Sequence, residues 1–153
     1  MQHAANEYPV TIRWIRAKEG VGESADGLEP LPIGAPPQFG GSAGMWTPEH
    51  MLVAATAACL MTTFLAAAEA SQLRVLSFEA PATGTLDRAE DRRFWVPRIE
   101  LRPRLRVASE ADRERALRLL AKAEAACLIS RSLRSTVIVQ PEVEVASFEP
   151  ALA

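Results

Sequence analysis

Only two cysteines, two histidines and one tyrosine occur among the 153 residues, and neither sign of charge dominates, with 17 Lys and Arg against 19 Asp and Glu. Two cysteines and two histidines, scattered along the chain, are too few for a structural zinc site. The balance of charge excludes the basic surplus that general binding of nucleic acid or an anionic membrane needs. Internal repeats and low-complexity tracts are absent as well. Met1 to Val10 has no basic segment followed by an apolar run, so no secretory signal is expected and a cytoplasmic, reducing setting follows. In that setting paired cysteines are more often catalytic or redox-sensing than joined in a lasting disulfide.

What is present fits one globular domain. Hydrophobic residues make up 48% and charged residues 24%, which excludes intrinsic disorder and suits a single domain over residues 1–153 with an ordered core of about residues 8–146. Met51 to Ala68 carries no charge, but its seven alanines and three threonines dilute the hydrophobicity, and Glu49 and Glu69 flank it. A helix buried on nearly all sides inside a protein is the better reading than a membrane span.

Tyr8 to Ile15 alternates as a strand, and Gly20, Gly22 and Asp26-Gly27 punctuate a short meander through Ile33. Gly34 to Trp46 reads as a loop whose glycines let backbone approach a neighbour closely. Thr47-Pro48-Glu49 opens a helix that runs to about Ala70: Thr47 can cap it, Pro48 suits its first turn, and Glu49 favours the positive dipole end. Val75 to Leu86 and Phe94 to Val107 read as two strands, with Pro81, Pro97 and Pro103 suggesting edges or bulges. In the second, Ile99, Leu101, Leu105 and Val107 share one face. Ser109 and Asp112 start another helix, whose buried stripe Ala116, Leu120, Ala123 ends at Cys127. Ser130 to Leu133 reads as one further turn, and Thr136 to Val145 closes the domain as a strand. The order is α+β.

Cys59, in the middle of the long helix, and Cys127 are the candidates for chemistry. Free cysteine is most often a small buried hydrophobe. Against that stand two apolar helix faces expected to meet in one core, no further cysteine, and a Gly-rich loop with Glu49-His50 just before the first thiol.

The run Gly40-Gly41, Trp46-Thr47-Pro48-Glu49-His50-Met51-Leu52 and Ala57-Ala58-Cys59 resembles the first signature of the OsmC/Ohr family, the osmotically inducible and organic hydroperoxide resistance proteins. The run Ala123-Glu124-Ala125-Ala126-Cys127-Leu128-Ile129-Ser130-Arg131-Ser132-Leu133 resembles its second. The resemblance in element order spans roughly Thr11 to Val145. It implies an OsmC-like α+β fold, antiparallel sheets packed around two main helices in an intertwined homodimer. It also implies a cysteine-based peroxidase for organic hydroperoxides, with no bound cofactor and a lipoyl-type external dithiol, typically a lipoylated protein, as reductant. Carried over by position, Cys59 is the peroxidatic thiol, Cys127 the resolving thiol, and Glu49 the acid that positions a cation. The hydroperoxide-resistance branch has an arginine in its early Gly-containing turn. Here Lys18 aligns with it, with Arg16 two residues earlier, and Arg16 is the first choice for the cation. Leu128 stands where that branch usually has proline.

Thiolate attacks the O–O bond, so the site must favour the anion. Cys59 lies too deep in its own helix for that helix's dipole to help, so a cation is expected to reach it. Ten residues at 1.5 Å put Glu49 roughly 15 Å from Cys59. Two copies of the helix crossing antiparallel near Ala54 and Ala55 would bring Glu49 of one to Cys59 of the other. Phe39, Met45, Trp46, Met51 and Phe64 are candidates to line an apolar pocket for the peroxide's organic tail, although Phe64 equally suits the core. His50 is read as a residue of the first helical turn, with proton donation the alternative. Thr56, Thr62 and Thr63 are expected to bond back to helix carbonyls. The stripe Arg98, Arg102, Arg104 and Arg106 is read as a solvated sheet face. Two rivals remain: a non-catalytic relative that binds a hydrophobic small molecule at the dimer cleft, and a thiol redox sensor.

Overall fold

The computed structural model describes residues 6–146; the ends of the expected domain, residues 1–5 and 147–153, lie outside them, as does the first half of the segment read for a signal. The chain divides into two compact units, one up to Met51 and one from Leu52.

The first unit is an antiparallel meander of β1 (Val10–Arg16), β2 (Glu19–Ser24) and β3 (Leu31–Gly34). A 3-10 turn, Pro37–Phe39, follows and ends on Gly40 in the left-handed region at φ 78°. The next residue, Gly41, passes so close to Ala35 that a Cβ there would overlap its carbonyl. This is the close backbone approach expected of the glycine-rich loop. Helix α1 (Pro48–Ala70) then begins with a reciprocal cap. The His50 amide donates to Thr47 Oγ1 at 3.3 Å while the Thr47 amide donates to His50 Nδ1 at 3.3 Å. Histidine thus takes the role that Glu or Gln plays in the usual capping box.

The second unit contains the rest of α1, strands β4 (Val75–Glu79), β5 (Ala82–Arg88), β6 (Phe94–Leu101) and β7 (Arg104–Val107), helix α2 (Glu110–Ala126), the single-turn helix α3 (Leu128–Ser132), and strands β8 (Thr136–Val139) and β9 (Glu142–Val145). The sheets run β4-β7-β9 and β5-β6-β8. Each of the three strands expected here is therefore split in two, and each break holds a proline: Pro81, Pro103 or Pro141. The breaks lie side by side. Arg102 N donates to Pro81 O at 2.9 Å, and Glu142 N donates to Pro103 O at 2.8 Å. Prolines aligned across neighbouring strands remove ladder donors at one level, so the sheet bends there. Pro97 lies inside β6, opposite a register shift between Thr85 and Asp87 in β5.

The expectation of antiparallel sheets needs one correction. β4 with β7 and β5 with β6 are antiparallel, but β8 joins β6 and β9 joins β7 in parallel. The cause is the α2 crossover, which returns the chain in its original direction. Ile99, Leu101, Leu105 and Val107 form the buried face read from their alternation, and Ala116, Leu120 and Ala123 of α2 are buried in the same core with Leu60 and Phe64 of α1. Ser109 caps α2, its Oγ accepting from the Asp112 amide at 3.2 Å.

The expectation that α1 is buried on nearly all sides is not met. Its most apolar 18-residue window has a mean hydropathy of 2.0, so by length and composition it could cross a membrane, yet only 22% of that window is buried. Thr56, Ala57, Leu60, Phe64 and Ala68 face the core, whereas Ala55, Ala58, Thr62, Leu65 and Ala66 are exposed. Both faces are apolar, and among the described residues only one is buried.

Candidate functional site

Cys127 sits where two helices meet. It closes α2, its amide reaching Glu124 O at 3.3 Å, and it is the N-cap of α3. Its side chain is fully buried. Because α3 begins immediately after it, the amides of Leu128 and Ile129 have no partner within their own helix. Both are instead directed at Cys59, which is half-buried on α1.

Four groups surround the Cys59 sulfur. Burial pushes its thiol pKa up, but hydrogen bonds from the Ile129 amide, the Cys127 side chain, the Thr63 hydroxyl and the Leu128 amide outweigh it and hold the value below that of an ordinary cysteine. Each donor favours the anion. Beyond the helix that carries Cys59, the fold brings the start of a second helix to the sulfur, and its backbone amides supply the positive ends of dipoles there. The two thiols are free and within hydrogen-bonding reach of each other. Ser130, three residues after Cys127, donates its hydroxyl to Cys127 Sγ at 3.2 Å.

Thr63, Leu128, Ile129 and Ser130 were not among the candidates drawn from the sequence. Thr56 and Thr62 do bond back, to Leu52 O and Ala58 O, but Thr63 turns its hydroxyl to Cys59 one helical turn earlier. The i, i+4 spacing from Cys59 to Thr63 was the available signal. No comparable signal marks the two amides, since every non-proline residue carries one.

The remaining candidates are distributed as follows. Arg16 Nε pairs with Glu19 Oε2 at 2.7 Å, and Lys18 Nζ donates to Phe39 O. Glu19 also accepts from the Ser42 hydroxyl, which ties the first hairpin to the glycine-rich loop, and the Ser42 and Arg16 bonds lower its carboxyl pKa. Glu49, in the first turn of α1, has one carboxylate oxygen, Oε2, buried without a hydrogen-bond partner among the described residues. Met45 and Trp46 line a cavity of about 260 Å³ with Gly44 and His50. Trp46 stacks edge-on against the His50 ring, while Phe39 and Met51 are partly buried. Phe64 is fully enclosed against Phe78, with ring centroids 5.5 Å apart, and belongs to the core. A second cavity of about 330 Å³ lies in the first unit, lined by Ile12, Trp14, Lys18, Ile33 and Pro48 among others. The arginine stripe is exposed and laced with acids, Arg98 and Arg102 to Glu100 and Arg104 to Glu79.

A fully buried thiol beside a half-buried one of lowered pKa can support a thiolate attack, a sulfenic acid and its condensation to a disulfide. Comparison with known proteins adds a family. Residues 40–142 match the OsmC family, described as OsmC-like protein. A curated relative, the uncharacterized protein YmaD of Bacillus subtilis (strain 168), is 28% identical over 145 residues, 93% of this chain and 96% of its own length. Among solved structures, an OsmC-like protein of unknown function from Vibrio cholerae superposes with a TM-score of 0.82 at 21% identity, over 90% of this chain and 99% of that one. An organic hydroperoxide resistance protein OsmC from Legionella pneumophila gives 0.72 at 23% identity, over 94% and 100%. An organic hydroperoxide resistance protein from Elizabethkingia anophelis gives 0.73 at 19% identity, over 95% and 100%. At these identities the structural likeness is one of fold.

Proposed function

The chain belongs to the OsmC-like protein family, and on that premise we propose that it is a thiol peroxidase that reduces organic hydroperoxides. The observation that carries this reading is the Cys59 thiol, held below the ordinary cysteine value by amides and hydroxyl, with a second thiol in hydrogen-bonding reach. The Cys59 thiolate attacks one peroxide oxygen, the O–O bond breaks, and the alkoxide leaves and takes a proton to become the alcohol. Cys59 is left as a sulfenic acid. Cys127 attacks that sulfur, hydroxide leaves as water, and a Cys59–Cys127 disulfide forms before over-oxidation can follow. An external dithiol of lipoyl type, carried by a lipoylated protein, resets the pair by exchange. A reducing cytoplasm suits both thiols.

The working unit in this reading is a homodimer. Its support is the uncovered apolar face of α1 and the edge strand β1, whose Val10, Ile12 and Trp14 are all exposed. Edges and faces of this kind are covered in stable proteins. The unpartnered Glu49 oxygen fits a carboxylate that meets its cation, Arg16 or Lys18, at a site shared between two copies. Met45, Trp46, Phe39 and Met51 would receive the organic tail of the substrate there.

The test is consumption of cumene hydroperoxide with dihydrolipoamide, for the native protein and Cys59→Ser. Turnover that disappears in the variant is the expected result. No turnover, with both thiols still free after peroxide, would leave the fold without this chemistry. The second reading, binding of a hydrophobic small molecule, draws on the cavity of about 330 Å³. Such binding would be indifferent to Cys59→Ser.

A further inference from the structure

We infer that Ser130 is a positioning residue for Cys127, and that an external dithiol opens the Cys59–Cys127 disulfide by attacking the Cys59 sulfur, so that Cys127 departs as the thiolate that Ser130 receives. The inference deepens the thiol–disulfide reading of this site and rests on it. Two observations carry it. Cys127 is wholly enclosed while Cys59 is half-buried, so of the two sulfurs Cys59 is the more open to a reductant's thiolate. The Ser130 hydroxyl is already aimed at Cys127 Sγ at 3.2 Å, on a partly buried turn whose geometry is held by the Arg131 amide bonding to Cys127 O at 3.1 Å.

In the opening step the reductant's thiolate forms a bond to the Cys59 sulfur, and the S–S bond breaks with its electron pair going to Cys127 Sγ. The Ser130 hydroxyl donates a hydrogen bond to that new anion and keeps its own proton. The second thiol of the reductant then attacks its first sulfur, closes a cyclic disulfide and releases Cys59 as thiolate. A better stabilised leaving thiolate leaves faster. The same hydrogen bond holds Cys127 Sγ in place for its attack on the Cys59 sulfenic acid.

The test forms the disulfide with diamide, so that no peroxide is involved, and follows its reopening by dihydrolipoamide in the native protein, Ser130→Ala and Ser130→Thr. Reopening is expected to slow by about tenfold in Ser130→Ala, the effect of one hydrogen bond to an anion, and to recover in Ser130→Thr, which keeps the hydroxyl. Native rates in Ser130→Ala would overturn the role of Ser130. A second measurement needs no variant: the diamide-oxidised native protein is treated with glutathione, quenched in acid, blocked with N-ethylmaleimide and mapped. Glutathione on Cys59 and the block on Cys127 are expected; the reverse overturns the direction of attack. Failure of diamide to form the disulfide overturns this inference and the peroxidase cycle together. Hydroxyl-dependent reopening in a protein that does not consume hydroperoxide would refute the peroxidase alone.

Discussion

A cysteine more than three turns into a helix has no inherent reason to ionise early. Cys59 does so because the amides of Leu128 and Ile129 and the hydroxyl of Thr63 converge on its sulfur. Thr63→Val removes one of these donors while keeping the volume. The thiolate fraction rises with pH, and in the native protein that rise is centred below the ordinary cysteine value. The variant moves the centre upward, so alkylation of Cys59 by iodoacetamide near neutral pH slows by about three- to tenfold, the effect of one hydrogen bond. A pH–rate profile of alkylation in the Cys127→Ser background checks this, and an unchanged profile would mean the amides alone set the value.

Single elements carry their own predictions. Ser109→Ala removes the cap of α2, whose buried stripe ends at Cys127. The cost should be about 1 kcal/mol, seen as a melting temperature lower by about 3 °C. Glu19 joins the β1–β2 hairpin to the glycine-rich loop through Arg16 and Ser42, and its carboxyl pKa is lowered in the folded state. A lowered folded value means that the unfolded chain binds the proton first as pH falls. The stabilisation is therefore complete above the unfolded titration and is lost as pH drops through the folded value, which lies below that of an ordinary glutamate. Glu19→Gln should unfold at lower urea than the native protein at pH 7, and the two midpoints should converge in strong acid. A gap that persists at low pH would assign the effect to packing.

At the scale of the whole molecule, the single chain leaves an apolar face of α1 exposed among the described residues. Ala58→Arg places a charge at the centre of that face without touching the core residues of the helix. In the proposed homodimer this variant should sediment as a monomer and lose hydroperoxide turnover, with its helical circular dichroism retained. A native protein that is itself monomeric at assay concentration would remove the shared site.

The local and the periodic could be read from the residues. The span of α1, the cap at Thr47, the start of α2 at Ser109, the buried alternation from Ile99 to Val107 and the two signature cysteines all follow from spacings of a few residues, where 3.6-fold and twofold repeats and capping chemistry leave their mark. Pro81 and Pro103 were legible as interruptions. Their alignment with Pro141 was not, because register between strands depends on partners far along the chain. The tertiary structure alone decided the environment of Cys59. Backbone amides are common to almost all residues, so no residue type announces which of them will face a sulfur. The chain had to bring the end of α2 back to the middle of α1 before a buried cysteine and its successors became a partner, two donors and a serine holding the second thiol.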